Sequence, residues 1–81
     1  METTEETTEP SLQAEVHLAQ AATLEAEGAP EAALRECDAA LELLPEWADA
    51  HYLRGTLLAA LERLPEAIAA FERALELDAS L

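Results

Sequence analysis

Residues 64 to 78 read LPEAIAAFERALELD and residues 30 to 44 read PEAALRECDAALELL, so one apolar pattern occurs twice, 34 residues apart. In the later copy Ala67, Ile68, Phe71, Ala74 and Leu75 are separated by one, three, three and one residues, which is a single stripe on an α-helix. Ala33, Leu34, Cys37, Ala40 and Leu41 reproduce that stripe. Small residues at matching places in a fixed period mean that each unit stacks on a copy of itself, so the pattern predicts a helical repeat.

The period extends beyond these helices. Residues 14–47 and 48–81 share nine identical positions at the 34-residue offset, among them His17 with His51, Leu24 with Leu58 and Ala33 with Ala67. The first helix is expected from Ser11 or Leu12 to Glu27, with Ser11 as its N-cap and Gly28 accepting the left-handed conformation that ends it. Pro30 opens the second helix, Pro45 stops it after Leu44, the third runs from about Trp47 to Glu62, and Pro65 marks the fourth, to about Asp78. Between Leu61 and Pro65 there is no glycine. Either Glu62 or Arg63 takes a left-handed backbone, at about 1–2 kcal/mol, or the third and fourth helices run on through Pro65, at about 3 kcal/mol. The turn is favoured, and a domain-swapped dimer is the competing arrangement.

Composition agrees with helices. Leu, Ala and Glu dominate, Val and Ile occur once each, and the 81 residues make one domain at most, whose core rarely gives more than about 3–5 kcal/mol of net stability. The start, METTEETTEP, has no aliphatic side chain after Met1, so residues 1–10 are expected to form a disordered acidic tail ahead of a domain at 11–81.

The formal net charge is −14, and every one of the four basic residues is an arginine. With no lysine and no basic patch, nucleic acid and anionic membranes are poor partners, while a basic or apolar protein partner is favoured. No apolar run reaches the roughly 18 residues of a membrane span, and the acidic start lacks a signal peptide's features. Cys37 is the single cysteine, which excludes an intramolecular disulfide. A cytoplasmic location is expected.

The second half, ADAHYLRGTLLAALERLPEAIAAFERALELDAS, resembles a tetratricopeptide repeat, with Gly55, Ala67, Phe71, Ala74 and Leu75 at that family's spacing. The first half is similar, with Ala21 where Gly55 stands and with Gly28 and Pro45 matching the family's turn glycine and closing proline. The resemblance implies an all-α fold of two helix hairpins, four antiparallel helices stacked as a short right-handed superhelix whose inner helices line a concave groove. Ala21, Gly55, Ala33, Ala67, Ala40 and Ala74 would let the helix axes approach toward the short end of the usual 8–10 Å. Gln20 and Arg54 depart from an apolar family position, Cys37 from an aromatic one and Ala79 from the closing proline. Arg54 is expected to lay its stem on apolar surface and leave its guanidinium in water.

Reactive constellations are harder to find. His17 and His51 share a register, yet neither has an acid or second histidine three or four residues away to complete a chelate, so packing is the expected role and no metal is assigned. Cys37 lies in the apolar stripe as a small hydrophobe, with no base or oxyanion donor at suggestive spacing. The carboxylates fall on solvated faces, Glu31 with Arg35 at i, i+4 among them. There is no glycine-rich phosphate loop and no cysteine cluster, so no cofactor and no catalysis are expected.

In the resembled family the groove floor comes from one face of each inner helix, which here corresponds to Glu15, Leu18, Ala22 and Glu25, then Asp49, Tyr52, Thr56 and Ala59. Members that clamp the acidic carboxyl ends of heat-shock chaperones carry lysine, asparagine and arginine on this face, and none is present. The resemblance and the charge together predict a non-catalytic protein-interaction scaffold that binds a helix or extended peptide with apolar anchors and basic flanks. A helical array also needs a polar terminal cap, so Phe71, Leu75, Leu77 and Leu81 are expected to lack a neighbour and to support a homo-oligomer. The alternative is a small acidic mimic, or inhibitor, that occupies a basic nucleic-acid-binding surface of another protein.

Overall fold

Glycine and proline divide the chain into helices much as their backbone chemistry requires. The computed structural model describes residues 2–80, with side chains from Ser11 to Ser80. Four helices follow one another: α1 (Glu2–Ala26), α2 (Pro30–Leu43), α3 (Ala48–Ala60) and α4 (Leu64–Leu77), with no strand among the described residues. α2, α3 and α4 keep to the expected bounds within two residues, since a proline stands in the first turn of both α2 and α4.

α1 departs from expectation. Its helix is continuous from Glu2, so Ser11 lies inside it and is not its N-cap. Pro10 withholds one backbone donor, yet the helix passes it. The tail expected at residues 1–10 has its side chains outside the described residues.

The two hairpin turns share one geometry. Ala29 N–H donates to the Leu24 carbonyl at 2.9 Å and Gly28 N–H to that of Glu25 at 3.0 Å, and Gly28 has φ 82°. Thirty-four residues on, Arg63 N–H donates to the Leu58 carbonyl at 2.9 Å and Glu62 N–H to that of Ala59 at 2.9 Å, with Glu62 at φ 61°. Both close the preceding helix with a Schellman motif, which satisfies carbonyls left without partners at the helix end. The turn without glycine therefore forms, and α3 and α4 stay separate helices.

Helix α1 packs on α2, α2 on α3 and α3 on α4, and the two first helices of the hairpins, α1 and α3, also touch. Eight of the twelve buried apolar residues are alanines, so the helices lie close and the core is thin. Leu57 and Leu58 are its largest fully buried side chains beside Cys37. At Gly55 the Phe71 ring of α4 lies directly against α3: a Cβ there would lie 2.7 Å from Cε1 of Phe71, inside any allowed contact. The Phe71 ring in turn meets that of Tyr52, centroid to centroid at 5.5 Å and tilted by 54°.

Candidate protein-interaction surface

Each of the eight expected groove residues sits on α1 or α3, the two helices that touch across the hairpins. Glu15 and Ala22 of α1 and Asp49 and Tyr52 of α3 are exposed, whereas Leu18, Glu25, Thr56 and Ala59 are half-buried. Tyr52 presents half of its surface, 51 %, to solvent, and its other side rests on Phe71. Leu18 and Ala59 lean on the core, so they support the surface more than they offer it. The Thr56 hydroxyl donates to the Tyr52 carbonyl at 3.2 Å and so turns its polar end back onto α3. None of the described surface depressions is lined by any of the eight; these lie instead at the hairpin connections and along the outer side of α1.

The polar contacts that position these helices were largely hidden in the sequence. Arg54 Nε donates to Asp38 Oδ1 at 2.9 Å, which ties α3 to α2, and both side chains keep part of their surface in water. His17 Nδ1 lies 2.7 Å from Glu36 Oε1, linking α1 to α2, and since the carboxylate accepts, Nδ1 carries the proton. His51 Nε2 donates to the Pro45 carbonyl at 2.8 Å and fastens the connection between hairpins. The two histidines therefore share a register and a packing role but hold different partners. Among the described residues no three His, Cys, Asp or Glu side chains gather as metal ligands would.

Two surface charge pairs lie along α4. Arg63 donates twice to Glu66, at 2.8 and 3.0 Å, and Arg73 once to Glu76, at 3.2 Å, both at i, i+3. The hydrogen bond and charge of Arg63 hold the Glu66 carboxyl below the usual range, and Ser80 does the same for Asp78 by donating from both Oγ and backbone N–H. Glu31 and Arg35 are both exposed, on a solvated face as expected, and are not paired with each other.

Cys37 is fully buried, and its thiol donates to the Ala50 carbonyl at 3.1 Å. Burial pushes its pKa up from 9.0 to about 12, the Asp38 carboxylate adds to that and Arg54 opposes it. A thiol held protonated in apolar surroundings is no nucleophile at neutral pH.

The self-association stripe is placed unevenly. Leu75 is exposed, Phe71 and Leu77 are half-buried, and Leu81 lies outside the described residues. Leu64 and Ile68 extend the stripe along α4, with 55 % and 57 % of their surface in water. Ile68 stood in the repeating apolar pattern, and its exposure was the signal's other meaning: a stripe is buried only where a neighbour exists.

An array of helix hairpins packed through alanine and glycine belongs to the class of helical-repeat domains. Within that class, residues 48–81 match the tetratricopeptide repeat family model, and the four helices are consistent with two hairpins of this kind. No curated protein and no solved structure gave a match to the chain. Repeats of this family are in general non-catalytic scaffolds, and the match suggests a protein–protein interaction module. No described helix is long and apolar enough to cross a membrane.

Proposed function

We propose that the protein is an interaction module that receives a helix or extended segment of a partner across α1 and α3, with apolar side chains of the partner at Tyr52 and basic ones near Glu15, Glu25 and Asp49. The observation that carries this reading is Tyr52, a large ring half in water and backed by Phe71, set beside acids on a helix that touches α1. Rigid aromatic anchors of this kind supply much of the binding free energy at protein interfaces. The cytoplasm is the compartment proposed, and neither nucleic acid nor a membrane surface is a proposed partner, because −14 charges repel both.

Self-association through Phe71, Leu75, Leu77 and Leu81 is a separate proposal, supported by the exposed Leu75 and opposed by the like charge of two copies. The acidic-mimic reading rests on the same charge.

The test is capture of partners from native extract with wild type and with a Tyr52→Ala, Ala22→Asp double variant, followed by titration of the captured partner across a salt series. Both substituted residues are exposed, so the helices should survive. Groove binding predicts partners lost in the variant and an affinity that survives 0.5 M salt, since apolar burial is not screened; a charge mimic loses affinity steeply. Undiminished capture by the variant would remove the groove from consideration.

A further inference from the structure

Position-by-position comparison of the hairpins separates two kinds of apolar residue on α2 and α4. Those facing the hairpin's own first helix are buried in both: Ala33 and Ala67 at 0 % and 2 %, Ala40 and Ala74 at 0 %. Those on the opposite side differ. Leu34 is 8 % exposed and its counterpart Ile68 57 %, while Leu41 is half-buried and Leu75 is 49 % exposed. The difference is α3, which covers that side of α2 and has no counterpart over α4 among the described residues. Asp38, which receives Arg54 on the covered face, has Glu72 as its counterpart, and Glu72 is exposed and in no ion pair among the described residues.

The other free end is treated differently. Trp47, the N-cap of α3, and Ala50, Arg54 and Leu57 within it correspond on α1 to Gln13, Val16, Gln20 and Thr23. Three of those four are polar and uncharged; Val16 and the neighbouring Leu12 are exposed there, at 54 % and 58 %, but at the places of Arg54 and Leu57 the free side of α1 has Gln20 and Thr23, while that of α4 keeps its isoleucine, leucines and acid. A second copy stacked end to end would offer Gln20 where Arg54 is needed and Thr23 where Leu57 is needed. Two α4 faces brought together would oppose Glu72 to Glu72, and the chain already carries −14 charges. Neither copy-to-copy arrangement satisfies the face.

We propose that the outer face of α4, Leu64, Ile68, Glu72 and Leu75, is a second docking surface, and that it takes an amphipathic helix of a partner protein that presents apolar residues and one arginine or lysine to Glu72. The internal α2–α3 contact supplies the pattern: a small or apolar residue, a cation four residues on and a leucine three further, as in Ala50, Arg54 and Leu57. Such spacing keeps the three on one helical face.

The probe is a fluorescently labelled synthetic helical peptide with tryptophan, alanine, arginine and leucine at the spacing of Trp47, Ala50, Arg54 and Leu57 and with lysine on its remaining face, titrated into the full chain by anisotropy. Saturable binding is expected, weakened about tenfold or more by Ile68→Glu and by a few-fold, roughly three to five, by Glu72→Arg. A peptide with glutamate in place of its arginine should recover affinity for Glu72→Arg alone. Ala22→Gln, on α1, which makes no contact with α4, should leave binding unchanged, which keeps this surface distinct from the one across α1 and α3. Circular dichroism of each variant guards against simple unfolding. Absence of binding, indifference to Ile68→Glu, or failure of the charge swap would overturn the proposal, as would a dimer in sedimentation that Ile68→Glu dissolves, since a second copy would then be the occupant.

Discussion

Glu62 holds in the second hairpin the left-handed backbone position that Gly28 holds in the first, with φ 61° against 82° and the same pair of turn hydrogen bonds. A side chain at that position costs about 1–2 kcal/mol, which the second hairpin bears and the first avoids. Glu62→Gly should therefore stabilise the protein by roughly 0.5–1 kcal/mol once the added flexibility of the unfolded chain is deducted, and Gly28→Ala should destabilise it by about 1 kcal/mol. Urea unfolding followed by circular dichroism checks both, and a loss of stability in Glu62→Gly would show that the turn is not strained.

Gly55 tests the closeness of α3 and α4. Glycine to alanine inside a helix ordinarily gains up to about 1 kcal/mol, but here the new methyl meets the Phe71 ring at 2.7 Å. In the wild-type background Gly55→Ala should gain nothing or lose about 1 kcal/mol, because the ring must shift off Tyr52. In a Phe71→Ala background the same change should stabilise. A double-mutant cycle without that change of sign would mean the ring yields freely.

Leu57 and Leu58 carry more of the core than their number suggests, since most other buried positions are alanines. Leu57→Ala should cost about 2–4 kcal/mol through lost transfer free energy and the cavity left behind. Against a net stability of about 3–5 kcal/mol for a chain of this size, that leaves the variant largely unfolded at 37 °C. A thermal scan showing a melting midpoint within a few degrees of wild type, about 4 °C, would contradict it.

Cys37 predicts a pH limb. Its folded thiol titrates near 12 and its unfolded thiol near 9.0. Between those values the unfolded chain has released a proton that the folded chain retains, so ionisation favours unfolding and stability falls as pH rises above 9. Below 9 the thiol is protonated in both states and contributes no slope. Cys37→Ala should be less stable at neutral pH yet show a flatter decline above pH 9 in urea titrations, and the wild-type thiol should react with a disulfide reagent only on unfolding. Equal slopes in the two proteins would show that the thiolate is tolerated where the thiol sits.

Helix number, both hairpin turns and the choice of Glu62 or Arg63 for the strained position were legible because each depends on neighbours within a few residues. Apolar spacing, a proline in the first turn and a glycine after the last are local signals, and the 34-residue period doubled each of them. The start of α1 was misread for a related reason: Pro10 signals a boundary locally, while the helix continues through it from Glu2. The ion pairs were less legible. Arg54 with Asp38 and His17 with Glu36 join residues 16 and 19 apart on different helices, and only the rotation of one helix against the next brings them together.

Residue spacing alone was enough for an all-α chain of two like hairpins, because periodicity and turn chemistry are written in order along the backbone. Which apolar residues lie under a neighbour and which remain in water needed the packed helices: Leu34 and Ile68 occupy one place in the pattern, yet α3 covers the first and no described helix covers the second. Burial belongs to pairs of surfaces, and a linear pattern names only one surface of each pair.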